Sequence, residues 1–137
     1  MTTLVDTNVL IDVAVRDRTW LDWSRRWIAA CGGLGELAIN QIIYAEFSYR
    51  YTDPIEVERL LPETDFRRSD LPWESAFAAA RAYSLYRNAG GLRGRMLPDF
   101  LIGAHAAFLG YSILTRDPSG YRRYFPDLDI IAPDTHP

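Results

Sequence analysis

The chain has 137 residues, 48% hydrophobic and 24% charged, which is the balance of an ordinary globular protein and length enough for one domain over residues 1–137. Its formal charge of −3 comes from 15 basic and 18 acidic side chains, and every basic one is arginine, so chemistry that needs a lysine, such as a Schiff base or a phosphate-binding P-loop, is excluded. The lone Cys31 excludes an intrachain disulfide and a cysteine-based zinc site, and the absence of an apolar run of ~18 residues or of a basic-then-apolar leader predicts a cytoplasmic protein.

Thr2 to Val5 reads as a short buried strand, cut off by Asp6-Thr7-Asn8. Residues 19 to 31 predict a helix, with Trp20, Trp23, Trp27 and Ala30 three and four apart and Gly32-Gly33 as its stop. "ELAI" (36–39) is a second strand, and Asn40 is placed to cap a helix from Gln41 to about Tyr51. Pro54 suits the start of a helix through Leu61, and "TDFRR" (64–68) a third strand. The alanine-rich run from Pro72 to Asn88 predicts a helix ended by Gly90-Gly91. Pro98 suits the first turn of another, which Gly110 ends; "YSILT" (111–115) and "LDII" (128–131) are the last strands. Strands alternating with helices predict an α/β fold with a mostly parallel sheet covered on both faces. In such folds function gathers beyond the carboxyl ends of the strands.

Four carboxylates fall where this layout recruits chemistry. Asp6 follows the first strand and Asp117 follows "YSILT", although Asp6 is equally suited to cap a turn formed by "TNVLID". Glu46 shares a helical face with Ile42, Ile43, Phe47 and Arg50, where a carboxylate needs either a cation or a partner such as Arg50. Asp99, in the first turn after Pro98, is favoured by the helix dipole whatever its role, and it heads a stripe of Ile102, Ala106 and Leu109 expected to be buried. Asp117 shares its strand side with Thr115, so a hydroxyl and a carboxylate are expected to point together. The remaining aspartates, Asp12 and Asp17 among them, sit in polar company and are expected to be solvated or capping. Oxygen-only donors suit Mg²⁺ or Mn²⁺ better than zinc. His105 and His136 are far apart in sequence, and His105 is expected to pack or cap.

"LVDTNVLID", "NQIIYAEF" and "PDFLIGAHAAFLGYSILTRD" resemble, in order, the three acidic motifs of PIN-domain ribonucleases, above all the toxin subunit of VapBC-type toxin–antitoxin pairs. "PSGYRRYFPDLDIIAP" extends the likeness over nearly the whole chain. The resemblance implies a small α/β/α sandwich in which Asp6, Glu46, Asp99 and Asp117 form the metal-binding catalytic site, supported by Asn8 and Thr115. It also implies Mg²⁺- or Mn²⁺-dependent endonucleolytic cleavage of RNA by metal-activated water, a homodimer, and a cognate antitoxin that blocks the acidic site. The Trp20, Trp23 and Trp27 stripe suits either antitoxin binding or packing on the sheet.

RNA approaching an acidic cleft needs positive charge at its border. Arg93 and Arg95, in the glycine-rich stretch before Asp99, are the first candidates for phosphate contacts; Arg116 is another, although strand alternation turns it away from the site. Each fits a solvated loop as well. Two other readings stay open: a DNA flap or 5′ nuclease, whose members usually carry more acidic ligands and larger insertions, and a non-catalytic RNA- or partner-binding module. A haloacid-dehalogenase site is disfavoured, because Asn8 stands where its second acid is needed.

Overall fold

The structure, a computed structural model, describes residues 1–91 and 97–137. Arg93 and Arg95 lie outside the described residues. In chain order the elements are β1 (Thr2–Val5), α1 (Thr7–Ala14), α2 (Leu21–Leu34), β2 (Glu36–Ile39), α3 (Gln41–Ser48), α4 (Pro54–Leu60), β3 (Arg67–Arg68), α5 (Trp73–Asn88), α6 (Leu97–Leu109), β4 (Ser112–Leu114), α7 (Ser119–Tyr124) and β5 (Ile130–Ile131). The strands form one sheet in the order β3-β2-β1-β4-β5, with every pairing parallel, as the strand–helix alternation predicts. Leu4 at the centre lies opposite Ala38 on one side and Ile113 on the other. All three are fully buried, the expectation for parallel strands covered on both faces.

From β1 the chain steps outward through β2 to β3, then returns to the other side of β1 for β4 and β5. Right-handed crossovers therefore place α1–α4 on one face and α5–α7 on the other. β1 and β4 are neighbours whose onward connections leave in opposite directions, so the crevice at their carboxyl ends is a topological switch point. The two ends are tied by a 2.9 Å hydrogen bond from the Asp6 amide to the Leu114 carbonyl.

Several local features differ from the sequence expectation. Asp6 caps not an isolated turn but an eight-residue helix, α1, and accepts from the Thr7 amide at 2.8 Å. Helix α2 continues through Gly32 and Gly33 to Leu34, because its buried face, with Trp23, Ser24 and Cys31, outweighs the ~1 kcal/mol helix cost of each glycine. Its stop is Gly35, where a Cβ would lie 1.9 Å from the Met1 carbonyl oxygen. The strand expected over residues 64–68 is reduced to Arg67–Arg68, since the amides of Asp65 and Phe66 are spent on a turn to the Pro62 carbonyl. Leu109 is 40% exposed rather than buried, while Ile102 and Ala106 are buried as expected. The short helix α7 was not anticipated.

The tryptophan stripe packs inward. Trp23 is buried and donates its indole N–H to the His136 carbonyl at 2.7 Å; Trp27 meets the His136 ring edge-on at 5.1 Å; Trp20 packs edge-on against Trp23 at 6.1 Å. Trp23 belongs to the main core, against which Trp20 and Trp27 pack, and Trp23 and Trp27 also meet the chain's own C-terminal segment. Asn40 caps α3 as expected, its Oδ1 accepting from the Ile43 amide at 2.9 Å. That fixes its Nδ2 as donor to His105 Nδ1 at 2.9 Å, so the proton of the neutral ring sits on Nε2, 3.1 Å from Ser69 Oγ. Burial holds the His105 pKa down to about 4, and the ring is a structural hub between α3, α6 and the segment after β3.

Helix α7 leans on α6 at Gly103, where an added Cβ would meet the Phe125 ring at 2.5 Å and Tyr121 at 3.0 Å. Gly103→Ala is therefore expected to destabilise the protein by about 1–3 kcal/mol from overpacking, despite the ~1 kcal/mol helix gain of alanine. Urea unfolding checks this, and Phe125→Leu in the same chain is expected to restore part of the loss.

Candidate active site

At the switch point lies a cavity of about 610 Å³, lined by Asp6, Thr7 and Asn8 from the β1–α1 junction, Glu46 and Tyr49 from α3 and its end, Asp99 and Phe100 from α6, and Asp117, Tyr121 and Phe125 from the β4–α7 region. The four carboxylates singled out in the sequence thus come from four different elements to one cavity. Asp6, placed by the end of β1, is 6% exposed. Its Oδ1 accepts from the Thr7 amide, and its Oδ2 accepts from Thr115 Oγ1 at 2.8 Å, Tyr121 Oη at 3.0 Å and Asn8 Nδ2 at 3.3 Å. Burial pushes the Asp6 pKa up to about 6; these hydrogen bonds pull the other way, and the charge of Asp99 adds to the rise.

Glu46 accepts from Thr7 Oγ1 at 2.8 Å. Its pKa is also raised, first by burial and then by Asp99. Among the described residues no ion pair joins Glu46 to Arg50, which is exposed. Asp117 is exposed at the cavity rim, and its amide donates to Thr115 Oγ1 at 3.1 Å. Asn8 also spans to Thr115 Oγ1 at 3.3 Å, and its Oδ1 accepts from the Arg116 amide at 3.3 Å.

Two expectations are corrected here. Asp12 is not solvated: it is 1% exposed, accepts from Ser24 Oγ at 2.8 Å, and is paired with Arg116, whose Nε lies 2.9 and 3.1 Å from its two oxygens. Arg116, a candidate phosphate contact, instead gives its Nε to Asp12 and lies over the Trp20 ring at 5.7 Å, and it is not among the residues that line the cavity. Two residues were not singled out in the sequence. Thr7 binds Asp6 through its amide and Glu46 through its hydroxyl, a role signalled only by its place directly after Asp6. Tyr121 is 5% exposed, and burial, with the nearby Asp6 and Asp99, holds its pKa well above the ordinary tyrosine value, so it stays a donor. Its four-residue spacing from Phe125 was readable as an apolar pair, but nothing in the sequence aimed its hydroxyl at Asp6.

The donor chemistry fits a hard divalent cation: the titratable groups of the lining are carboxylates and two phenols, with neither thiol nor imidazole. Among the described residues, no three His, Cys, Asp or Glu side chains stand close enough together to hold a metal ion as placed. Mg²⁺ does not need three, since it is usually held by one or two carboxylates and keeps several waters. Asp99 is near enough to raise both Asp6 and Glu46, so pairs within the set share one electrostatic environment.

A parallel sheet with an acidic cavity at its switch point, built from the three motifs in order, defines the class, and the PIN domain family model matches residues 3–125. The chain belongs to the PIN domain family. Among solved structures its fold is similar to a chain of VapBC2 from Rickettsia felis bound to a DNA fragment from their promoter, with a TM-score of 0.74 and 18% identity, covering 96% of this chain and 98% of that one. VapBC-1 from nontypeable Haemophilus influenzae gives a TM-score of 0.72 and 18% identity over 96% and 98%. A toxin–antitoxin complex from Klebsiella pneumoniae gives 0.65 and 20% over 94% and 95%. Comparison with curated proteins finds no match.

Asp6 and His105 set opposite pH dependences. With a folded pKa near 6 against 3.8 unfolded, Asp6 makes the native state bind more protons, so its contribution worsens as pH rises from about 4 through 6, by about 3 kcal/mol in all. Glu46 acts in the same sense. His105, with a folded pKa near 4 against 6.5, makes the unfolded state bind more protons, so its contribution is lost as pH falls through that window. In EDTA, Asp6→Asn is expected to gain on wild type as pH rises from 4 to 7, and His105→Gln to lose. Urea unfolding across that range checks both, and differences from wild type that do not vary with pH refute the assignment.

Proposed function

We propose that this chain is a Mg²⁺- or Mn²⁺-dependent endoribonuclease acting as the toxin of a VapBC-type toxin–antitoxin pair. The observation that carries this reading is the arrival of Asp6, Glu46, Asp99 and Asp117 from four elements at one cavity on the switch point. These carboxylates would hold the cation, which when bound supplies a Lewis acid that makes water nucleophilic and offsets charge on the phosphoryl oxygens. The chain's own residues supply the alignment. Thr115, Tyr121 and Asn8 hold Asp6 Oδ2, Thr7 holds Glu46, and the Tyr121 phenol keeps its proton at neutral pH. Phe100 and Phe125 make part of the wall apolar.

The similarity of fold to chains of VapBC complexes supports a protein antitoxin as partner, with a second copy of this chain in a homodimer, and a cytoplasmic setting accords with it. No helix among the described residues is long and apolar enough to cross a membrane. Arg93 and Arg95 are proposed as phosphate contacts on the approach to Asp99.

Purified protein is expected to cut single-stranded RNA in Mg²⁺ or Mn²⁺ and not in EDTA. Asp99→Asn, folded by circular dichroism, is expected to lose about a thousandfold or more of that activity. Cleavage of DNA in place of RNA would make the chain a flap-type nuclease, and RNA binding without cleavage in any cation would make it a binding module. Arg93→Ala and Arg95→Ala are each expected to weaken RNA binding and to flatten its dependence on log salt by about one; an unchanged salt slope returns both arginines to the solvated loop.

A further inference from the structure

The cavity is chemically mixed. Beside the four carboxylates its lining includes Ile11, Ala45, Tyr49, Phe100, Tyr121 and Phe125. At about 610 Å³ it has more room than a phosphodiester and its cation require, and falls in the roughly 300–1,000 Å³ range of pockets that enclose a whole small ligand. An apolar wall attracts neither phosphate nor cation. What it accepts from a nucleic acid is a base.

The aromatic rings of that wall are not equivalent. Phe100 is buried against Tyr83, Tyr86 and Tyr124, and Tyr121 is buried with its hydroxyl on Asp6. Tyr49 is 88% exposed and, among the described residues, makes neither a hydrogen bond nor a ring contact. Its neighbours in the same segment, Phe47 and Tyr51, stack on each other at 5.4 Å. Tyr49 follows Glu46 by three residues, one helical turn along the same side. Exposed aromatics are common on protein surfaces, and Trp73 and Phe77, a turn apart on α5, are exposed too. Tyr49 is distinguished from them by lining the acidic cavity with its ring faces open.

We infer that Tyr49 is a base-stacking residue: a nucleobase of single-stranded RNA beside the scissile phosphodiester lies on its ring while the phosphodiester faces the carboxylates. Duplexed bases are already stacked and cannot reach the ring, so the contact selects unpaired nucleotides and tolerates all four bases. The inference rests on the RNA-cleaving reading above and adds a residue that the acidic motifs do not contain.

The test uses a short single-stranded RNA that the wild-type protein cuts, alongside copies in which one nucleotide near the cut is abasic, each position in turn. Tyr49→Ala is expected to raise KM, and Kd measured in an Asp99→Asn background, by about tenfold or more, while Tyr49→Phe and Tyr49→Trp stay near wild type. One abasic position is expected to weaken the wild type and to weaken Tyr49→Ala no further, which identifies the stacked base. Unchanged RNA kinetics in Tyr49→Ala, or a loss that is additive at every abasic position, overturns the inference and leaves the nuclease reading standing. Weakened binding of an inhibitory protein alone, with RNA kinetics unchanged, overturns it in favour of a protein contact. If the wild type cuts no RNA under any cation, both readings fall together.

Discussion

The Asp6 carboxylate receives hydrogen bonds from the Thr7 amide, the Asn8 amide group, the Thr115 hydroxyl and the Tyr121 phenol, and so binds the end of β1 to the start of α1, the end of β4 and helix α7. Each of those segments contributes something else to the cavity. Thr7 passes the restraint on to Glu46, Thr115 to the amide of Asp117, and Tyr121 stands on α6 through Gly103, in the helix that carries Asp99. A carboxylate raised to a pKa of about 6 by burial is costly to keep charged, and the fold keeps it where its neighbours meet. The joining of the central strand ends and the alignment of the acidic groups therefore run through one side chain.

A second buried acid steadies the same corner from behind. Asp12, about one turn along α1 from Asn8, holds both Arg116 and Ser24 of α2. A buried ion pair is weak evidence for net stability, because desolvation of both charges opposes their attraction. Its geometric effect is plainer. The backbone of residues 115–117 is pinned between Asp6 in front, through Thr115, and Asp12 behind, through Arg116. Asp117 is presented at the rim by a loop that has little freedom to turn.

Much of this was legible in the sequence, and the reasons differ from element to element. The strands and the long helices announced themselves by apolar period and by their punctuation, Asn40 and Pro98 in particular. The four acids were legible because each sits at a strand end or interrupts an apolar face, where a charge has a cost that asks for a reason. What failed to show were relations between distant segments. Nothing in "TNVLID" signals that Asp12 meets an arginine 104 residues later, or that Arg116, adjacent to Asp117, has a buried acid as its partner. Helix α2 ran past two glycines because tertiary packing overrode local propensity. Tyr121 is a core aromatic, and only the fold gives its hydroxyl an address.

The outermost strands, β3 and β5, are two residues each, while β1, β2 and β4 at the centre run three or four. Edges this short offer a neighbouring molecule almost no unpaired backbone to zip onto, which guards a wholly parallel sheet against growing into fibrils. The same brevity grades the sheet from its middle outward. Backbone amides of the central ladder are the ones that only global opening exposes to solvent deuterium, and those at the margins fray first. Because Asp6 and Thr115 continue directly from β1 and β4, the groups that must be aligned are mounted on the part of the molecule that breathes least.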